Sequence, residues 1–278
     1  MSVALYHFGN SVCSQKARLA LHEKGVTGWE SHEVDLFRGD QFNLEYLRLN
    51  PKAVVPTLVD DGKVIVESTL IAEYIDDRFD GPSMKPADPF GRAGMRLYSK
   101  ACDEGVHQAI GVISFAAMFM DRLRRMSAEE LAAHLAKVID LERRDRYTAI
   151  HAHGAKAPHI YRGVAAIEKL LQKTEHILAD GRPWLLGDQL TLAEVNLAPY
   201  LSRLEYVNVI DIWLAERPLS TAWFARIKAR PSFEKEVVAW INTAEWQEMR
   251  EGGDRIKDTL RDNLANFRAT DFGARHHL

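Results

Sequence analysis

Thr57-Leu58-Val59-Asp60-Asp61-Gly62-Lys63-Val64-Ile65-Val66-Glu67-Ser68 is the stretch on which the fold turns. Two short β-prone runs flank Asp60-Asp61-Gly62, and Asp-Gly between apolar runs predicts a tight hairpin. Ser68 has the chemistry of a helix N-cap. Leu70, Ile71, Tyr74 and Ile75 follow on one side of a helix expected to run to Phe79. Upstream, Ala4 to Phe8 reads as a strand. Cys13 to Lys24 reads as a helix that Gly25 closes. Trp29 to Val34 reads as a second strand, and Asp40 to Leu49 as an amphipathic helix halted by Asn50-Pro51. The order is β-α-β-α-β-β-α. The first two strands, joined through a helix, are expected to be parallel and the last two antiparallel.

Downstream the texture changes. Gly81-Pro82-Ser83-Met84-Lys85-Pro86-Ala87-Asp88-Pro89 holds three prolines and a glycine, and reads as a linker. From Pro89 onward the pattern is helical. Segments are expected at Phe90 to Arg125, Ser127 to Ile150, Ile160 to Ala179, Leu192 to Leu201, Leu219 to Ala229 and Ser232 to Glu251. The last ~25 residues are charged with few apolar anchors, and read as a helical extension or a loose tail.

The 278 residues carry a net charge of −3, which gives no electrostatic reason for a nucleic-acid partner. No stretch of about 20 apolar residues exists, so no membrane span is expected. The first residues show no basic region followed by an apolar run, so no signal peptide is expected. Two distant cysteines, Cys13 and Cys102, suit a reducing, cytoplasmic setting. His151-x-His153 has no acid or cysteine at metal-like spacing, and no metal site is expected. The arginine clusters at 122–125 and 143–146 read as solvated helix faces.

Three junctions of the first ~80 residues carry candidate chemistry. The turn after the first strand holds Ser11, Cys13 and Ser14 at a helix N-terminus, where N–H groups and the helix dipole favour an anion. Cys13 lacks the resolving thiol of a Cys-x-x-Cys pair, so dithiol exchange is not expected. Val55-Pro56 precedes a strand. A cis bond there would turn the Val55 backbone outward to pair with an extended peptide. Glu67-Ser68 opens a helix whose first N–H groups suit a carboxylate.

These residues resemble the glutathione transferase superfamily. Ser11-x-Cys13-Ser14-x-Lys16-x-Arg18-Leu19-Ala20-Leu21 is similar to the active-site stretch of its serine-type classes, the zeta class especially. Asn50-Pro51 followed by Val55-Pro56-Thr57-Leu58 resembles its cis-proline segment, with Ala53 and Val54 where the family often has Gly and then Gln or Lys. Glu67-Ser68-Thr69-Leu70 resembles its Glu-Ser signature. Leu186 to Glu194 resembles its conserved capping segment, and Thr191-x-x-Glu194 is a capping box on physical grounds alone. Lys85-Pro86-Ala87-Asp88-Pro89-Phe90-x-Arg92-Ala93-x-Met95-Arg96 is similar to the bacterial lignin β-etherases of the superfamily.

The resemblance implies an α/β thioredoxin-like N-terminal domain (βαβαββα) plus an all-α C-terminal domain. The boundaries expected are 1–80 for the glutathione-binding domain, 81–88 for the linker and 89–278 for the helical domain with its extended C-terminus. It implies glutathione as cosubstrate. Ser11 would stabilise the thiolate, with Cys13 and Ser14 as alternatives. Gln41, Val55, Pro56, Glu67 and Ser68 would hold the peptide, and Phe115, Met118 and Phe119 a small hydrophobic aromatic electrophile. A homodimer is implied as well.

Overall fold

The computed structural model describes residues 2–136, 138 and 140–270. In chain order the first elements are β1 (Val3–His7), α1 (Val12–Glu23), β2 (Glu30–Glu33), α2 (Leu44–Leu49), β3 (Thr57–Asp60), β4 (Lys63–Val66) and α3 (Ser68–Arg78). The sheet order is β2-β1-β3-β4, with β1 and β2 parallel and both other pairings antiparallel. This is the mixed, thioredoxin-like sheet that the sequence predicts. Asp61 and Gly62 both take positive φ, 45° and 79°, which is what a two-residue hairpin turn demands. At the end of α1, Gly25 takes φ 78° and Val26 N–H reaches back to Leu21 O, so the predicted glycine closure is a Schellman turn.

Leu5 and Leu58 fill the middle of the sheet, and α1 and α3 pack together over Ala17, Leu21, Ile71 and Ile75. Each fully buried aliphatic side chain of this kind contributes about 1.5–3 kcal/mol. The Pro/Gly-rich stretch after α3 is pinned rather than loose. Asp76 accepts from Met84 N–H at 2.8 Å and from Lys24 Nζ at 3.0 Å.

The remaining elements are helical. They are α4 (Pro89–Ala101), α5 (His107–Ser114), α6 (Met120–Arg124), α7 (Ala128–Ala136), α8 (Leu141–His153), α9 (Pro158–Leu178), α10 (Leu192–Tyr206), α11 (Asp211–Leu214), α12 (Pro218–Lys228), α13 (Pro231–Glu236) and α14 (Thr243–Arg268). Single-turn π segments sit at Cys102–Val106 and Phe115–Phe119. Two compact units emerge. One comprises Met1–Lys100, Arg182–Pro199 and Trp223–Asn242, and the other Ala101–Gly181, Tyr200–Ala222 and Thr243–Leu278.

Several segments differ from expectation. Asp40 to Leu49 is a 3-10 turn (Asp40–Phe42) and then α2, because Asn43 is extended at ψ 137°. Ser127 to Ile150 divides into α7 and α8, with Asp140 capping the second through Arg143 N–H. Ser232 to Glu251 divides into α13, a 3-10 turn at Val238–Trp240 and α14, with Ile241 extended at ψ 124°. Of the two expectations for the charged end of the chain, the helical extension holds as far as Arg268: Met249, Ile256, Leu260, Leu264 and Phe267 are buried along α14. Arg144 is not simply a solvated face, since it donates to the Ala136 and Val138 carbonyls.

Candidate active site at one end of the sheet

Strand register brings the candidate residues of the first unit together. Tyr6 lies opposite Thr57, and Thr57 opposite Val66. The turn after β1, the residues before β3 and the residues after β4 therefore leave the sheet at the same end. His7 pairs with Glu33 in the parallel register, so the chain leading to Gln41 emerges there too. Both α1 and α3 begin at this end, presenting two helix N-termini.

Ser11 is the N-cap of α1. Its Oγ accepts from Ser14 N–H at 3.3 Å, and the Ser11 backbone is extended at ψ 120°. Ser11 and Cys13 are half-buried. Ser14 is fully buried, and its Oγ accepts from Phe8 N–H at 3.2 Å, stitching the turn back to the helix. Of the three candidates, the Ser14 hydroxyl is the one enclosed by protein. A half-exposed hydroxyl at a helix N-terminus can donate its proton to an anion while the first-turn N–H groups add their dipoles.

The Val55-Pro56 peptide is cis. Tyr46 and Asn50 hold the segment before it: Tyr46 Oη donates to Val54 O at 2.6 Å and Asn50 Nδ2 to the same oxygen at 2.9 Å. Both also meet Thr57 Oγ1. The Val55 side chain packs with Val34 and Tyr46, and among the described residues no hydrogen bond meets its N–H or C=O. Ala53 takes φ 52°, the left-handed region that favours glycine.

Glu67, not Ser68, is the N-cap of α3, with φ 69° and no side-chain cap bond; Ser68 is the first helical residue. Non-glycine residues held at such φ cluster at ligand clamps. Glu67 Oε1 pairs with Lys52 Nζ at 2.6 Å, which raises the Lys52 ammonium above its usual range. Buried Ser68 accepts from the fully buried Lys16 Nζ at 3.4 Å. Gln41 Nε2 donates to Leu36 O, while its buried Oε1 has no partner among the described residues.

Phe115 and Met118 belong to the second unit. Phe115 is buried and stacks on Tyr147, with ring centroids 3.8 Å apart. Met118 is half-buried. The Phe119 side chain lies outside the described residues. Lys52 and Trp240 escaped the sequence reading, and Lys16 and Arg18 stood in the α1 stretch without an assigned role. The one available signal was the pair of cations inside the apolar pattern of α1.

A model described as Glutathione S-transferase, N-terminal domain, matches residues 10–78, and one described as Glutathione S-transferase, C-terminal domain, matches residues 129–226. Protein LigF of Sphingobium sp. (strain NBRC 103272 / SYK-6) is 32% identical over 246 residues, 84% of this chain and 93% of that protein. The tetrachloro-p-hydroquinone reductive dehalogenase of Sphingobium chlorophenolicum is 33% identical over 241 residues, 84% of this chain and 94% of that protein. The crystal structure of beta-etherase LigF from Sphingobium sp. strain SYK-6 matches with a TM-score of 0.75 and 28% identity, over 86% of this chain and 100% of that one.

Proposed function

The chain belongs to the glutathione S-transferase family, and on that premise we propose that it ionises the glutathione thiol at the N-terminus of α1 for attack on a small aromatic electrophile. The observation that carries this reading is the half-buried Ser11 hydroxyl at the cap of α1, on the sheet end it shares with the Val55 backbone and the Glu67-Ser68 turn. The Ser11 hydroxyl donates a hydrogen bond to the thiolate sulfur. The Val55 N–H and C=O pair with the peptide as an added strand. The first turn of α3, with Ser68 backed by Lys16, takes the γ-glutamyl carboxylate. Gln41 supplies a further polar contact.

The electrophile we propose is a lignin-derived β-aryl ether next to a ketone. The thiolate sulfur bonds to the ether-bearing carbon as the carbon–oxygen bond breaks. The phenoxide leaves with the electron pair and takes up a proton. Likeness to LigF along most of the chain supports this choice. The protein would work as a cytoplasmic homodimer. Similarity to the reductive dehalogenase favours a second reading, removal of halide from a chlorinated hydroquinone.

A panel of electrophiles supplied with glutathione separates the readings. Phenol release from a β-aryl ether ketone is expected, with the rate falling in Ser11→Ala by about 10–100-fold, the loss of roughly one to two pKa units of thiolate stabilisation. Chloride release from a chlorinated hydroquinone with the ether untouched would replace the first reading by the second. Binding of glutathione without turnover of any electrophile would make the protein a binding module.

A further inference from the structure

α1 carries two fully buried cations, Lys16 and Arg18. Two residues apart on a helix is about 200° of rotation, so they serve opposite sides. Lys16 meets Ser68. Arg18 spreads its guanidinium over backbone: Nη2 donates to Gly9 O at 2.8 Å, Nη1 to Phe8 O at 3.3 Å, and Nε to Glu236 O at 3.0 Å. Nη1 also lies 3.1 Å from His7 Nδ1, and the Trp240 ring covers the guanidinium at 4.6 Å. Among the described residues no carboxylate pairs with Arg18. The acids acting on it from farther off are Glu236 and Glu33.

Such a cation is costly. Burial pulls the Arg18 guanidinium down to about 9, and an apolar side chain would fill the space without that penalty. What the guanidinium does that Leu or Met could not is fix carbonyls in a planar fork. Phe8 and Gly9, two of the residues it fixes, immediately precede Asn10-Ser11. Gly9 is also closed in from outside, since a Cβ there would lie 2.8 Å from Trp240 O.

Resting on the reading of Ser11 above, we propose that Arg18 is a positioning residue. It clamps the β1–α1 turn against the Val238–Trp240 segment, so that the Ser11 hydroxyl and the first N–H groups of α1 are preset for the thiolate. Arg18 touches neither sulfur nor electrophile in this scheme. It removes the reorganisation that a loose turn would need each time the anion forms.

The test uses the full chain with two readouts. The first is a pH titration of the bound glutathione thiol by its thiolate absorbance. Arg18→Met is expected to raise that pKa by about one unit, a roughly tenfold loss of thiolate near neutrality, with the KM for glutathione little changed and kcat reduced. Arg18→Lys is expected to recover only part, because an ammonium cannot make the fork. The second is hydrogen exchange without ligand: amides of residues 8–14 should exchange faster in Arg18→Met, while those of 63–78 keep their wild-type rates. Should Arg18→Met fail to fold, Trp240→Ala decides, since it keeps every donor and removes the covering ring; a smaller shift in the same direction is expected. Wild-type thiol pKa and wild-type exchange at 8–14 in the folded variants would overturn the proposal. If the wild-type protein bound no glutathione, the functional reading would fall first, and exchange at 8–14 would still decide whether the clamp exists.

Discussion

His7 shows how far one residue's surroundings set its chemistry. It is fully buried beneath the candidate turn, between Arg18 and Ser31. A guanidinium can only donate, so His7 Nδ1 must accept and Nε2–H must donate to Ser31 Oγ, which fixes the neutral tautomer. Burial first, and the Arg18 charge second, push its pKa from 6.5 down to about 3. The unfolded chain therefore binds a proton, between those two values, that the native one refuses. Stability falls as pH drops through that window, by up to about 1.4 kcal/mol per pH unit. Burial would raise the Glu23 carboxyl, but hydrogen bonds from Arg230 and Ser232 outweigh it and hold the group below 4.5, so its loss of stability begins only beneath that value. We predict that urea midpoints decline from pH 6.5 to 4.5 in the wild type and decline less in His7→Gln. Equal declines would show that His7 is not the group responsible. The cap at Ser11 was legible in the sequence because cap chemistry is local, and the Val55-Pro56 pair marked where a cis bond could fall; the cap of α3 was misplaced by one residue, since Glu67 takes the position expected of Ser68. The role of Arg18 was not legible, because two of its partners, Glu236 and Trp240, lie more than 200 residues away.

Among elements, the hairpin and the capping box read correctly from a few residues each. Glu194 accepts from Thr191 N–H at 2.9 Å, which is the carboxylate half of the box, while Thr191 Oγ1 donates to Glu194 at 2.8 Å and accepts from Ala193 N–H at 3.2 Å. Glu194 also takes Leu185 N–H at 2.7 Å and lies 3.4 Å from Trp223 Nε1, contacts no local pattern announces. Glu194→Ala strands these buried donors, and should cost about 2–4 kcal/mol in chemical denaturation. A loss below about 0.5 kcal/mol would mean that water or a neighbour replaces the carboxylate. The misread elements share one cause. Apolar spacing at three and four residues runs on across a short break, so α7 with α8, and α13 with α14, looked continuous. In α14 the anchors Met249, Ile256, Leu260, Leu264 and Phe267 were present but diluted by charge. Gly252 and Gly253, poor helix formers, have a packing reason. A Cβ at either would fall within 2 Å of the Ala117 or Val207 carbonyl oxygen, so glycine lets α14 lie directly on backbone.

At the scale of the molecule, a mixed sheet is followed by helices, and the matches over residues 10–78 and 129–226 show the family. The compact units are assembled from separate chain segments that composition alone could not reveal. The first unit gathers the sheet, both helix N-termini and the Trp240 segment around one end of β1. Our central claim is that this end seats glutathione with its sulfur ionised at α1. The most direct measurement is a crystal structure of the full chain with glutathione bound. The account predicts sulfur within hydrogen-bond reach of Ser11 Oγ, the peptide paired with the Val55 backbone, and the γ-glutamyl carboxylate at Glu67-Ser68. Tripeptide density elsewhere on the protein, with those three places empty, would contradict it.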